Sequence, residues 1–281
     1  MTPPPPYQAL VLAGGGNRCI WQAGFWESAG PALGTPQVVA GVSAGACMAC
    51  AIFAGRARGS LEYMLRQAAR LDKNLYWRNL WRPEPLLPHF KVYRQGLLEI
   101  LDQEALARLR QGPEVRILLA RPPAWAGAVG GTLLGFACYF LEKHLKRPLH
   151  PTWSQRLGFR PVVVRADECR DGRELARLIL ASSSTPPIVP VQRWGGRPAL
   201  DGGLVDNVPL LALKPQERPA LVLLTRRHPP GLLQGHPGLT YVQPSRPIPV
   251  AKWDYTSPER LQAAFDLGRR DGEEFLRRQG L

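Results

Sequence analysis

The stretch Gly41-Val42-Ser43-Ala44-Gly45-Ala46 constrains this chain more than any other. It follows an apolar, β-leaning run, Gln37-Val38-Val39-Ala40, and precedes small apolar residues, Cys47 to Ala54, that read as a buried helix. It is therefore G-x-S-x-G at a predicted strand-to-helix turn. A serine on so sharp a turn is held in a strained conformation with its hydroxyl above the sheet. The glycines let strand and helix backbones approach closely. The following helix aims unpaired N–H groups and its positive dipole end at the serine oxygen. Alone, the motif serves two readings, a catalytic elbow or a tight turn in a glycine-rich chain.

The preceding strand strengthens the first reading. Residues 8–13 read as a buried parallel strand, and Gly14-Gly15-Gly16-Asn17-Arg18 stands at its carboxyl end. Sites in open α/β sheets form at the carboxyl ends of strands, so this loop and the serine turn share one rim. The loop is not G-x-G-x-x-G, and it lacks the Lys-Ser/Thr of a phosphate-binding loop. Consecutive glycines can gather successive N–H groups into one concavity, as an oxyanion hole requires. Arg18 would add charge or hold the loop by pairing.

Further along, helices are expected at 60–71, 96–110, 173–182 and about 258–278. Strands are expected at 114–120, 161–166, 221–225 and 240–244, with an extended Ile188–Val191 and a hairpin turning at Gly195-Gly196. The hairpin leads into Asp201-Gly202-Gly203-Leu204-Val205-Asp206-Asn207-Val208-Pro209. An acid before two glycines is common in plain turns. It is also the second chemical signal of the chain.

A serine hydroxyl needs a base within hydrogen-bond reach. The five histidines, His89, His144, His150, His228 and His236, are flanked by prolines or charges in the manner of surface histidines. Asp201 followed by His228 fits the Ser-acid-His order of an α/β-hydrolase. Ser43, however, comes after only the second strand, too early for that fold. A two-member account serves better, with Asp201 taking the Ser43 proton inside a desolvated site.

The strings around Gly14–Arg18, Gly41–Ala46 and Asp201–Pro209, in that order, resemble the patatin-like phospholipase family over roughly residues 8–225. The resemblance implies a three-layer α/β/α fold with a mainly parallel central sheet. It implies a serine lipid acyl hydrolase in which Ser43 is the nucleophile and Asp201 the base. Backbone N–H groups of Gly14, Gly15, Gly16 and Ala44 would form the oxyanion hole. Arg18, Gly41, Gly45, Gly202, Gly203 and Asn207 would support it. Cys19 departs from the glycine many members carry. No cofactor or metal is implied, and no metal-ligand cluster is visible in the sequence. Two rivals remain open: a catalytically silent, basic membrane-binding protein, and a His-dependent esterase.

Charge bears on partners. The net charge of +14 favours anionic surfaces, such as phospholipid headgroups. No zinc-finger spacing or aromatic RNA-binding signature accompanies it, so nucleic acid is not expected. Aromatics and arginines interleave at 76–83, which suits a lipid interface or a core edge. Pro122 to Leu141 carries no charge and touches the length of a membrane span. Its prolines and glycines favour a buried helix or an apolar helix lying on a bilayer. Five cysteines, including Cys47-x-x-Cys50, make no disulfide framework and read as buried packing. Met1 to Pro6 lacks the features of a signal peptide, so a cytoplasmic place is expected, with peripheral contact at the inner membrane face. No repeat or linker divides residues 1–281, which read as one domain with a strand and helix at about 240–279 packed on the core.

Overall fold

The computed structural model describes residues 5–76, 81, 87–145 and 153–281. Most of the aromatic-arginine stretch at 76–83 lies outside them. In chain order the strands are β1 (Ala9–Leu12), β2 (Val38–Val42), β3 (Glu114–Arg121), β4 (Arg160–Arg165), β5 (Gln192–Trp194), β6 (Arg197–Asp201), β7 (Ala220–Leu223) and β8 (Leu239–Val242). The helices are α1 (Ile20–Leu33), α2 (Ala44–Phe53), α3 (Ala57–Ala68), α4 (His89–Ile100), α5 (Gln103–Gln111), α6 (Gly127–Leu145), α7 (Trp153–Arg156), α8 (Gly172–Ser182), α9 (Gly203–Asp206) and α10 (Pro258–Gln279).

The strands form an eight-stranded sheet in the order β5-β6-β3-β2-β1-β7-β8, with β4 also on β3. β3, β2, β1, β7 and β8 run parallel, while β4 and β6 pair with β3 antiparallel. β1 and β7 are buried along their whole length, as continuous apolar runs in a parallel sheet should be. Alternation along the pleat divides the core. Leu10 and Leu12 face α1, α2 and the largest apolar cluster, to which α8 and α10 also contribute. Val42, Leu118, Ala120 and Leu200 face the opposite layer, with Leu204, Val205 and the α6 residues Leu134 and Phe136. Helices on both faces of a mainly parallel sheet give the three-layer α/β/α architecture.

One expected helix at 96–110 is two. Asp102 breaks it, because its carboxylate accepts the Ala105 N–H at 2.8 Å and caps α5. The helix before it starts at His89, earlier than the expected start at 96. The extended segment at Ile188–Val191 is also displaced. Ile188 and Val189 turn back onto the Thr185 carbonyl, and strand pairing starts only at Gln192. All five cysteines are free and buried, and burial pushes the Cys47 thiol up to about 12. Among the described residues no helix is long and apolar enough to cross a membrane. Trp125, Leu133 and Leu141, on and before α6, are nevertheless exposed.

Candidate active site

The sheet brings the three motifs to one rim. β2 pairs with β3 up to Val42 and Leu118, and the chain then turns sharply at Ser43 into α2. Ser43 has φ 55° and ψ −133°, and it is the single non-glycine residue with positive φ among those described. Such a backbone costs of order 1–3 kcal/mol and persists only where its surroundings fix it. Two features do so. A Cβ on Gly41 would sit 2.6 Å from the Ala46 Cα, and one on Gly45 would sit 2.5 Å from the Leu12 carbonyl oxygen, so only glycine admits the contact. Ser43 N–H also donates to Ser182 Oγ at 2.8 Å, and that hydroxyl donates to the Leu118 carbonyl at 2.7 Å.

Asp201 arrives from the other direction. β4 occupies one edge of β3 from Arg116 to Arg121, so β2 and β6 share the other edge. β6 takes it where β2 stops, and Asp201 pairs with Leu119, one rung beyond the last β2 rung. The Ser43 hydroxyl lies beside the Asp201 carboxylate, close enough to favour its charged form. Gly203 N–H donates to the Asp201 Oδ1 at 2.7 Å. Both residues are buried, Ser43 at 5% exposure and Asp201 at 6%. Burial raises the Asp201 pKa, while Lys252, the Ser43 hydroxyl and the Gly203 N–H each pull it back.

The glycine loop closes the third side. Gly16 adopts φ 60°, and a Cβ there would lie 2.3 Å from the Lys252 carbonyl oxygen. The Gly14 N–H donates to the Asn207 carbonyl at 3.0 Å, and the Gly14 carbonyl accepts from Thr225 Oγ1 at 2.7 Å and Asn207 Nδ2 at 3.4 Å. Gly14 thus anchors the loop, which corrects the expectation that its amide points at substrate. Gly15, Gly16 and Ala44, at or before the first turn of their helices, have no N–H partner among the described residues. A Cβ on Gly202 would sit 2.2 Å from the Leu118 carbonyl oxygen, so that glycine seats Asp201 against β3. Arg18 lies half-buried on the turn after Gly16.

Lys252 has no sequence motif, yet it packs on Gly16, accepts the Asn17 N–H at its carbonyl at 3.0 Å and interacts electrostatically with Asp201. Burial lowers its pKa, against the opposing pull of Asp201. Ser182 and Thr225 were likewise silent in the sequence. They lie at the end of a helix and just past a strand, positions that signal nothing locally.

An apolar cleft meets Ser43 and is lined by Met48, Met64, Val92, Leu97 and Ile100. His89 also lines it, buried at 3% exposure, which corrects its reading as a surface histidine. Its Nε2–H donates to the Trp253 carbonyl at 2.8 Å, and burial lowers its pKa. His228 accepts from Arg226 Nε at its Nε2, 3.2 Å away.

Among solved structures, the crystal structure of VipD from Legionella pneumophila aligns with a TM-score of 0.49 and 12% identity, over 97% of this chain and 67% of that one. No curated protein matches. The family model described as patatin-like phospholipase matches residues 10–214, a span that holds all three motifs. The chain belongs to the patatin-like phospholipase family, a family of lipid acyl hydrolases.

Proposed function

We propose that the protein cleaves carboxylic esters of phospholipids or other acyl lipids through Ser43 and Asp201. The observation that carries this reading is the meeting of the strained Ser43 with the buried Asp201 at adjoining strand ends. Asp201 takes the Ser43 proton as the oxygen attacks the ester carbonyl. Desolvation makes this carboxylate a stronger base than one in water. The developing oxyanion receives the amides of Gly15, Gly16 and Ala44, donors fixed before the reaction begins. The alcohol leaves with a proton. Water activated by Asp201 then hydrolyses the acyl-enzyme. The apolar lining of the cleft beside Ser43 suits an acyl chain.

The same reading places the open side of the cleft toward an anionic membrane. The net charge of +14 and the exposed Trp125 and Leu133 support peripheral contact. Hydrolysis of a panel of p-nitrophenyl esters and phospholipids, with Ser43→Ala as control, tests the function. Turnover unchanged in Ser43→Ala sinks the Ser43 reading. Failure of Ser43 to take a fluorophosphonate label would favour a silent membrane-binding protein instead. Loss of turnover in His228→Ala alone would favour a His-dependent esterase.

A further inference from the structure

The arginines on β3 and β4 divide into two pairs with opposite fates. At one end Arg116 pairs in register with Arg165. Both are neutralised: Arg116 by Glu114 at 2.6 Å and Glu217 at 2.8 Å, and Arg165 by Asp167. At the other end Arg121 pairs with Arg160. Residues paired across strands, and residues two apart along one, project from the same face of a sheet. Extending the β3–β6 register by one rung sets Ala199 opposite Arg121, so Arg197 shares that face.

None of these three guanidinium groups has a hydrogen-bond or ion-pair partner among the described residues. One Arg121 nitrogen is buried without a partner, and the other terminal nitrogen lies under the turn, 3.7 Å from where a Cβ on Gly195 would be. Burial and, after it, the Arg197 charge push the Arg121 pKa down, so this cluster repels itself as it stands. An isolated desolvated cation is costly unless a counter-charge meets it.

We infer that Arg121, Arg160 and Arg197 form a binding site for the phosphate of an anionic phospholipid headgroup at the rim of the Ser43 cleft. Position supports the assignment. Arg121 is two residues beyond Leu119, the partner of Asp201, which is roughly 7 Å along the strand. Exposed Trp125 comes four residues after Arg121, so the chain leaving the cluster carries an apolar residue free to enter a bilayer. Guanidinium groups suit phosphate because they engage its oxygens two at a time. The orientation of lipid toward Ser43 rests on the proposed hydrolase reading, whereas headgroup binding does not.

Binding should therefore be measured without turnover, by co-sedimentation of Ser43→Ala protein with vesicles of phosphatidylcholine alone or mixed with phosphatidylglycerol. The mixed vesicles should bind more tightly. Adding Arg160→Gln and Arg197→Gln should weaken that binding about fivefold per arginine removed. Arg197→Lys should retain part of it. Arg270→Gln, which removes an exposed arginine of α10 and the same charge, should change it much less. Equal loss in Arg270→Gln would reduce the effect to net charge and overturn the site. Displacement by millimolar inorganic phosphate, with no preference for the anionic vesicles, would assign the cluster to soluble phosphate and overturn lipid docking. Circular dichroism of each variant confirms that the exposed substitutions leave the fold intact. Loss of vesicle binding in the arginine variants with Ser43-dependent hydrolysis of soluble esters unchanged would separate this site from the hydrolase reading.

Discussion

Asp201 pairs with Leu119 on the β3 edge one rung past the point where Val42, the residue before Ser43, pairs with Leu118. Two strands of opposite direction thus meet end to end on one edge of a third. Their terminal residues, serine and aspartate, face each other because neither strand continues. Residues 158 positions apart in sequence are brought together by consecutive rungs on a shared third strand.

That placement holds a carboxylate in a desolvated site, which has a stability consequence. The Asp201 pKa is raised in the folded state, so its contribution is full below the unfolded carboxylate range and is lost as pH rises through the folded pKa. At neutral pH ionised Asp201 opposes folding. Asp201→Asn keeps the Gly203 hydrogen bond at 2.7 Å and removes the charge, so it should stabilise the protein by roughly 1 kcal/mol, or about 2–4 °C in Tm. The same variant should lose ester cleavage. Calorimetry between pH 4 and 8 checks this, and the gain should vanish toward about pH 4.

Lys252 holds the Asp201 pKa below what burial alone would impose. Lys252→Met should therefore move the acid limb of the kcat/KM profile to higher pH, with the largest losses on the acid side. A pH–rate profile on a soluble ester reads the direction. A shift to lower pH, or none, would remove Lys252 from the electrostatics of the site.

Ser182 ties the elbow to the sheet. Ser182→Ala leaves the Ser43 N–H and the Leu118 carbonyl without their shared partner, and each orphaned buried group costs about 1–3 kcal/mol. Thermal unfolding should report the loss. Kinetics should show kcat falling by about tenfold with KM little changed, because the backbone that aims Ser43 is loosened while the apolar cleft is kept.

Glycines separate by position. Gly16→Ala meets both a positive φ and a carbonyl oxygen 2.3 Å from its new Cβ, so the loop must move. Displacing one oxyanion donor should lower kcat by roughly 100-fold or more. Gly59→Ala, in open space on α3, should instead stabilise by about 0.5–1 kcal/mol and leave kcat unchanged. Paired melting and rate measurements distinguish the two.

Much of this site could be read from local chemistry. The elbow declared itself because G-x-S-x-G between an apolar strand and a small-residue helix answers a local steric demand, and the Gly41 and Gly45 contacts are that demand realised. The glycine loop was legible as a concavity of amides, but not which amides stay free. Asn207, on a distant turn, takes the one at Gly14. His89 looked like a surface residue because Pro88 precedes it and the charged Lys91 follows closely, yet α4 buries it against Trp253 and Tyr255 from the far end of the chain. The 96–110 pattern hid its break because apolar spacing runs on across Asp102, whose carboxylate caps α5.

By itself the sequence determined the elements that local sterics and periodicity dictate: buried strands, the strained serine turn, the glycine loop and a carboxylate before paired glycines. The tertiary structure alone decided which strand ends adjoin, and hence how Asp201 is carried to the side of Ser43. It also decided that Lys252 stands behind that pair and that Arg121, Arg160 and Arg197 have no counter-charge among the described residues. The physical reason is range. Helix, strand and turn preferences act over a few residues, whereas desolvation, edge pairing and the meeting of charges depend on neighbours that only the folded sheet supplies.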